Sequence, residues 1–107
     1  MTPEKIRFEL TQVGRELYKA ADALQVLEVE AERAELDAQS AIDKAFLTAE
    51  GSIPEKQAQA RERSLEARDK AIISRAAYNR ARAKAKGLEL QQMRLMATLK
   101  SIQLEGA

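Results

Sequence analysis

The residue types on which most enzymes rely are missing from this chain of 107 residues. It contains no cysteine and no histidine, so the common pairs of nucleophile and base cannot form. The usual zinc sites are excluded for the same reason. Neither the phosphate-binding pattern G-x-x-x-x-G-K-S/T nor the dinucleotide-binding pattern G-x-G-x-x-G occurs. We therefore expect a protein that is not an enzyme and that uses no cofactor, metal ion or small-molecule substrate.

The first half of the chain carries a cluster of acidic residues: Glu28, Glu30, Glu32, Glu35 and Asp37. Helical bundles use carboxylates to build di-metal sites, but such sites usually also need Glu-x-x-His motifs. Because the chain has no histidine, a solvated or salt-paired acidic face is the favoured interpretation.

Basic residues are concentrated in the second half. Four arginines recur every seven residues and so share one stripe of a helix: Arg61, Arg68, Arg75 and Arg82. Residues 74–86 include five basic residues and no acidic one, with Tyr78 inside the run. Tyr18 and Lys19 are expected at a similar level on the first helix. Cations that follow a backbone, together with rings that stack on bases, suit single-stranded nucleic acid. The predicted binding residues are Arg75, Tyr78, Arg80, Arg82, Lys84 and Lys86.

The same arginines can instead pair with the acidic cluster. Residues 1–53 carry six Lys/Arg and eleven Asp/Glu, whereas residues 54–107 carry twelve and six. If the chain folds back on itself, flanking charges of opposite sign meet across the helix pair. This alternative is favoured near the turn, while the basic excess from Arg80 onward remains unpaired. The expected partners are Glu28 with Arg75 or Arg68, Glu35 with Arg68 or Arg61, and Glu30 and Asp37 with Lys70 and Arg63.

Capping residues mark the ends of two helices. Thr2 followed by Pro3 is typical of a helix start. Gly51 can adopt the left-handed conformation that ends a helix, and Ser52 with Glu55 has the spacing of a capping box. The sequence therefore predicts one helix over about 3–50, a turn at 51–52 and a second helix over about 53–104, in a single domain covering 1–107.

Apolar and small residues recur at alternating steps of three and four along both helices, as in a coiled coil. In the first helix this seam comprises Ile6, Leu10, Val13, Leu17, Ala20, Leu24, Leu27, Ala31, Ala34, Ala38, Ala41 and Ala45. In the second it comprises Ala60, Ser64, Ala67, Ala71, Ser74, Tyr78, Ala81, Ala85, Leu88, Gln92, Leu95, Leu99 and Ile102. Small residues lie near the turn in both rows and larger ones near the termini. The predicted fold is all-α, a long antiparallel two-helix hairpin.

A second apolar stripe, here called the spare face, cannot be covered by the first helix. It comprises Leu65, Ile72, Ala76, Ala83, Leu90, Met93, Ala97 and Leu104. Ile42, Phe46 and Leu47 near the turn are also left uncovered. Exposed stripes of this kind mark interfaces, so we predict that copies of the chain self-associate into a helical bundle or ring. The oligomer contacts are assigned to Leu65, Ile72, Ala76, Ala83, Leu90, Met93 and Ala97.

Two interior glycines, Gly14 and Gly87, lie at similar distances from Gly51 along the chain. They are expected to face each other, either as a shared kink or a close contact point for another chain, or as two tolerated glycines that each cost about 1 kcal/mol relative to alanine.

A small all-helical hairpin with a basic second arm and an oligomerising C-terminal helix resembles the phage UvsY-type recombination mediators. The segment from Leu88 to Gln103, LELQQMRLMATLKSIQ, is similar in character to the assembly helix of that family. The resemblance implies a protein that forms rings, binds single-stranded DNA and loads a recombinase onto it.

Two functional classes remain open, and a third possibility, purely structural assembly, needs no partner beyond the chain itself. The first is an oligomeric accessory protein that binds single-stranded DNA and a recombinase or another protein. The second is a helical adaptor or inhibitor that docks the spare face, through Leu65, Ile72, Leu90 and Met93, on another protein. The sequence shows no signal-peptide pattern and no long apolar run, so a cytoplasmic location without membrane contact is expected, in the host if the protein is phage-encoded.

Overall fold

The computed structural model describes residues 2–106, which form three α-helices and no strand. Helix α1 spans Pro3–Thr48, α2 spans Ile53–Arg63 and α3 spans Leu65–Glu105. The prediction of an all-α helical hairpin is confirmed, with the turn between α1 and α2. No stretch of these helices is both long and apolar enough to cross a lipid bilayer.

The start of α1 is capped as its sequence predicts. The Thr2 hydroxyl accepts a hydrogen bond from the Lys5 backbone N–H at 3.3 Å, and the Thr2 carbonyl accepts one from the Ile6 N–H at 3.1 Å. Pro3 is the first helical residue, where its missing N–H leaves no helical hydrogen bond unmade.

The turn between α1 and α2 depends on Gly51, whose φ of 109° is one that other residues rarely adopt. A Cβ at this position would also collide with the Glu55 carboxylate. The Ser52 hydroxyl caps α2 by accepting a hydrogen bond from the Glu55 N–H at 3.4 Å. The Gln59 side-chain amide donates to the Glu50 carbonyl at 2.9 Å and so joins the two sides of the turn.

The second predicted helix is interrupted at Ser64, which separates α2 from α3. The buried Ser64 hydroxyl donates to the Ala60 carbonyl at 2.6 Å, and the Ser64 N–H donates to the same oxygen at 3.1 Å. Serine hydroxyls that bond the preceding turn in this way bend helices. Arg68 of α3 also bonds across this junction. Its guanidinium donates to the Ser64 hydroxyl at 3.2 Å and to the Arg61 carbonyl of α2 at 2.6 Å. The expectation of one unbroken helix over 53–104 was wrong here.

Contacts divide the chain into two units, which are described separately. Unit 1 comprises Met1–Leu24 with Arg80–Ala107, and unit 2 comprises Gln25–Asn79. Whether the chain behaves as a single domain therefore stays a prediction.

Unit 2 has a thin core of small residues. Ala34 and Ala38 of α1 form a cluster with Ala67 and Ala71 of α3. Alanine buries little apolar area, so each contact adds little stability but lets the two backbones approach closely. All the predicted seam residues in this unit are buried or half-buried: Leu27, Ala31, Ala34, Ala38, Ala41, Ala45, Ala60, Ser64, Ala67, Ala71, Ser74 and Tyr78.

Unit 1 has the larger core side chains. Ile6 and Val13 of α1 and Leu95 of α3 are buried in one cluster. Partly buried residues pack around it: Leu10, Leu17, Leu88, Leu99 and Ile102. This matches the predicted seam, in which the larger residues lie toward the two termini.

The interior glycines neither break a helix nor mark a close approach within the chain. Both α1 at Gly14 and α3 at Gly87 are continuous. A Cβ added at either position would meet nothing within 4 Å. This open space agrees with the interpretation of two tolerated glycines, and a contact point for another chain stays a prediction.

Candidate nucleic-acid interface

Four of the predicted binding residues lie in unit 1: Arg80, Arg82, Lys84 and Lys86. All four side chains are exposed, and none forms an ion pair within residues 2–106. Helical spacing places Arg80 and Lys84 on one side of α3 and Arg82 and Lys86 on another. Unit 1 thus presents exposed cations on two sides of one helix.

A shallow groove of about 390 Å³ in unit 1 adds a cation from α1. Lys19 of α1 and Lys84 of α3 line it from opposite helices, over a floor that includes Ala20 and Ala81. Glu16 also lines the groove and offsets part of the positive charge. An anionic chain that follows this groove would meet a lysine from each helix.

The other two predicted binding residues lie in unit 2 and are already engaged. The Arg75 guanidinium donates two hydrogen bonds to the Glu35 carboxylate, one of them from Nε at 3.2 Å. It also lies over the half-buried Tyr78 ring, 5.3 Å from the ring centre. Arg75 would have to leave Glu35 before it could contact a phosphate, and it covers one face of the ring that was expected to stack on bases. Tyr18 in unit 1 differs, because 77% of it is exposed.

The Arg75–Glu35 contact is the one ion pair found within residues 2–106. Pairing near the turn was expected, but the partners were wrong, since Glu35 was assigned to Arg68 or Arg61. Helical side chains lean toward the N-terminus of their own helix, so facing side chains in an antiparallel pair lean in opposite directions. Arg75 therefore reaches back to the level of Ala71, which packs with Ala34 beside Glu35. The other expected pairs are not formed in this part of the chain.

Two other cations near the turn, Arg63 and Arg68, bond neutral groups instead. Arg63 donates to the Thr48 hydroxyl at 3.5 Å, and Arg68 bonds the Ser64 hydroxyl and the Arg61 carbonyl. The Arg63 bond joins α2 to α1, and the Arg68 bonds hold the junction between α2 and α3. The residues of the acidic cluster other than Glu35 therefore form no ion pair within residues 2–106.

The Arg75 hydrogen bonds hold the pKa of Glu35 below its ordinary value of 4.5, although partial desolvation acts in the opposite direction. The same contact raises the pKa of Arg75. Because the pKa of Glu35 is lower in the folded than in the unfolded chain, its ionised carboxylate stabilises the fold. This contribution is fully present above the pKa of Glu35 in the unfolded chain and is lost as the pH falls through its pKa in the folded chain.

Glu35→Gln should therefore be less stable than the wild type at pH 7, and this difference should shrink as the pH falls below about 4.5. Thermal unfolding followed by circular dichroism between pH 7 and pH 3 measures it. Glu62→Gln, which changes the net charge equally but removes no ion pair, is the control. A difference between the Glu35→Gln variant and the wild type that stays constant over this pH range would contradict the assignment.

The spare face is exposed in both units. Its residues in unit 2 are Leu65, Ile72 and Ala76, and those in unit 1 are Ala83, Leu90, Met93, Ala97 and Leu104. Each of them is exposed within the monomer, as the sequence predicts for a stripe that α1 does not cover.

Two further apolar surfaces lie in unit 2. Near the turn, Ile42, Phe46 and Leu47 line an open groove of about 590 Å³ together with Ala60 of α2. The second surface, here called the outer face of α1, comprises Val29, Leu36 and Leu47, which are exposed side chains on the side away from the seam. Of these three residues only Leu47 was expected to be uncovered, although their spacings of seven and eleven residues place them on one side of a helix.

No known protein family, curated protein or solved structure matches this chain. Within residues 2–106, no group of three Asp or Glu side chains is arranged to hold a metal ion. The features that indicate a function are therefore the chain's own charges and exposed faces.

Proposed function

We propose that this chain is a non-enzymatic, self-associating accessory protein that binds single-stranded DNA through α3 in unit 1. The observation that carries the proposal is the contrast between two sets of cations. Arg75 in unit 2 is bonded to Glu35, whereas Arg80, Arg82, Lys84 and Lys86 in unit 1 are exposed and form no ion pair within the described residues.

Unpaired cations suit phosphates because binding to them releases the counterions condensed on the nucleic acid. Lys19 adds a further cation through the groove that it shares with Lys84. The exposed Tyr18 ring supplies a surface on which a base can stack, a role for which Tyr78 is less accessible. The site is therefore proposed on unit 1, with Arg75 stabilising the hairpin unless DNA displaces it from Glu35.

In its most specific form, the proposal is a phage recombination mediator that acts in the host cytoplasm. The layout resemblance to the UvsY-type mediators supports this form, and self-association through the spare face would place several basic segments along one DNA strand. A recombinase would then be the protein partner.

A second candidate function is a helical adaptor or inhibitor. The observation in its favour is the exposure of large apolar side chains on the spare face, with about two thirds of Ile72 and of Met93 accessible. Such a face can dock in the groove of another protein. Phosphate binding weakens steeply as the salt concentration rises, whereas apolar docking persists. The salt dependence of the binding affinity therefore distinguishes the two functions.

Titration of a fluorescently labelled oligo(dT) with the protein tests the proposal. At low salt we expect the anisotropy to rise and saturate at micromolar protein concentrations or below. No change in anisotropy at low salt would contradict DNA binding and leave the adaptor as the remaining candidate.

A further inference from the structure

The outer face of α1 in unit 2 has an apolar centre and acidic flanks. Val29 and Leu36 are 50% and 71% exposed and lie two turns apart on one side of the helix. Glu32 lies within one turn of both. The flanking carboxylates are Glu28, Glu30, Glu32 and Asp37, which are exposed and form no ion pair in the described part of the chain. Arg33 is the single cation between Val29 and Leu36.

The spare face in unit 1 has the opposite character. Leu90 is 48% exposed at its centre, with Lys86 one turn before it and Arg94 one turn after it. Residues 80–104 carry six Lys/Arg and one acid, Glu89. Over the whole sequence of each unit the contrast persists, with a net charge of +4 for unit 1 and −3 for unit 2.

From this complementarity we infer that the spare face of α3 in unit 1 docks on the outer face of α1 in unit 2 of a second copy. This inference rests on the self-association proposed above and names the two surfaces that meet. Leu90 and Met93 would pack against Val29 and Leu36, as in a helix pair with an apolar centre. The cations beside Leu90 would then lie next to the carboxylates that surround Leu36.

The alternative arrangement, in which two spare faces pair with each other, is disfavoured by charge. A two-fold contact places the same surface of each copy against its mate. Lys86 and Arg94 of one copy would then approach the same cations of the other, and like charges brought together across an interface oppose association. Docking of a basic face on an acidic face removes this repulsion and compensates charges that the monomer leaves unpaired.

The inferred contact joins two different surfaces, so each copy carries one surface of each kind. Such head-to-tail contacts allow further copies to add, and they give a ring when the rotation between copies closes and an open chain when it does not. Assembly should therefore proceed beyond the dimer as protein concentration rises.

Mixing two variants tests this arrangement. Leu90→Asp disables the spare face and leaves the outer face of α1 intact, whereas Leu36→Asp does the reverse. Leu36 is 71% and Leu90 48% exposed in the monomer, and neither belongs to the buried core, so neither substitution opens a core cavity. Each variant alone should sediment as a monomer at concentrations at which the wild type assembles. An equimolar mixture should form a dimer with twice the monomer mass and grow no further, because the two remaining faces are the disabled ones.

Circular dichroism checks that each variant is helical. The matched control is Ile73→Asp, because Ile73 is an exposed residue of α3 that lies on neither face. This control should assemble like the wild type. If either Asp variant loses its helical signal, Leu36→Ser and Leu90→Ser replace the pair in the same mixing experiment.

Assembly of Leu36→Asp alone, or a mixture that stays monomeric, would overturn the inferred docking while self-association stands. A wild type that remains monomeric at every concentration would overturn both. Leu36 lies in unit 2, outside the proposed DNA site, so oligo(dT) binding by the Leu36→Asp variant reports on DNA binding separately, whereas Leu90 lies one turn from Lys86 of that site.

Discussion

Replacing Ile6 with alanine is expected to lower the free energy of unfolding by about 2–5 kcal/mol, the range found when a buried isoleucine is truncated to alanine. Ile6 is 0% exposed and forms the centre of the unit 1 core with Val13 and Leu95. Urea unfolding followed by circular dichroism measures the change, with both proteins at the same concentration because self-association stabilises the folded state.

Phe8→Ala is the matched control for this prediction. Phe8 lies two residues further along α1, is also a large apolar residue and is 63% exposed. Removing an exposed side chain away from the core usually changes stability by no more than about 0.5 kcal/mol. Similar losses for Ile6→Ala and Phe8→Ala would contradict the assignment of Ile6 to the core of unit 1.

The triple variant Arg80→Ala, Lys84→Ala and Lys86→Ala is expected to bind oligo(dT) at least about tenfold more weakly at low salt. Each cation that contacts a phosphate of a single strand contributes about 0.7 to the slope of log K against log salt. Loss of three such contacts should make that slope less steep by about 2. The three side chains are exposed and form no ion pair within residues 2–106, so the fold should be unaffected.

A second triple variant separates local contacts from net charge. Lys5→Ala, Lys44→Ala and Lys70→Ala removes the same number of positive charges from exposed positions outside the proposed site. It should retain most of the affinity and of the salt slope. Equal losses in the two triple variants would show that binding depends on overall charge and would contradict the site on α3.

The sequence predicts the helices and the turn well because these features depend on local chemistry. The Thr2 cap and the positive φ of Gly51 follow from residue types at fixed positions. The seam is equally predictable, since its three- and four-residue steps leave one side of each helix apolar or small. Every residue of both predicted seams is buried or half-buried in the structure.

The features that the sequence does not predict depend on the direction and competition of individual side chains. Ser64 occupies a seam position, and its hydroxyl bonds the preceding turn and interrupts the helix, which periodicity alone cannot reveal. Glu35 bonds Arg75 because helical side chains lean toward the N-terminus of their own helix. The predicted partners, Arg68 or Arg61, were chosen from positions along the two helices without this lean. By contrast, the absence of ion pairs at Arg80, Arg82, Lys84 and Lys86 within the described residues agrees with the unpaired basic excess that the sequence predicts from Arg80 onward.

The salt dependence of wild-type binding to oligo(dT) decides the claim that exposed cations of α3 in unit 1 bind single-stranded DNA. Anisotropy titrations between about 50 and 200 mM salt give the slope of log K against log salt. Four phosphate contacts predict a slope of about −3, with clear binding at the lowest salt. An affinity that does not change with salt, or the absence of binding at 50 mM, would contradict the claim.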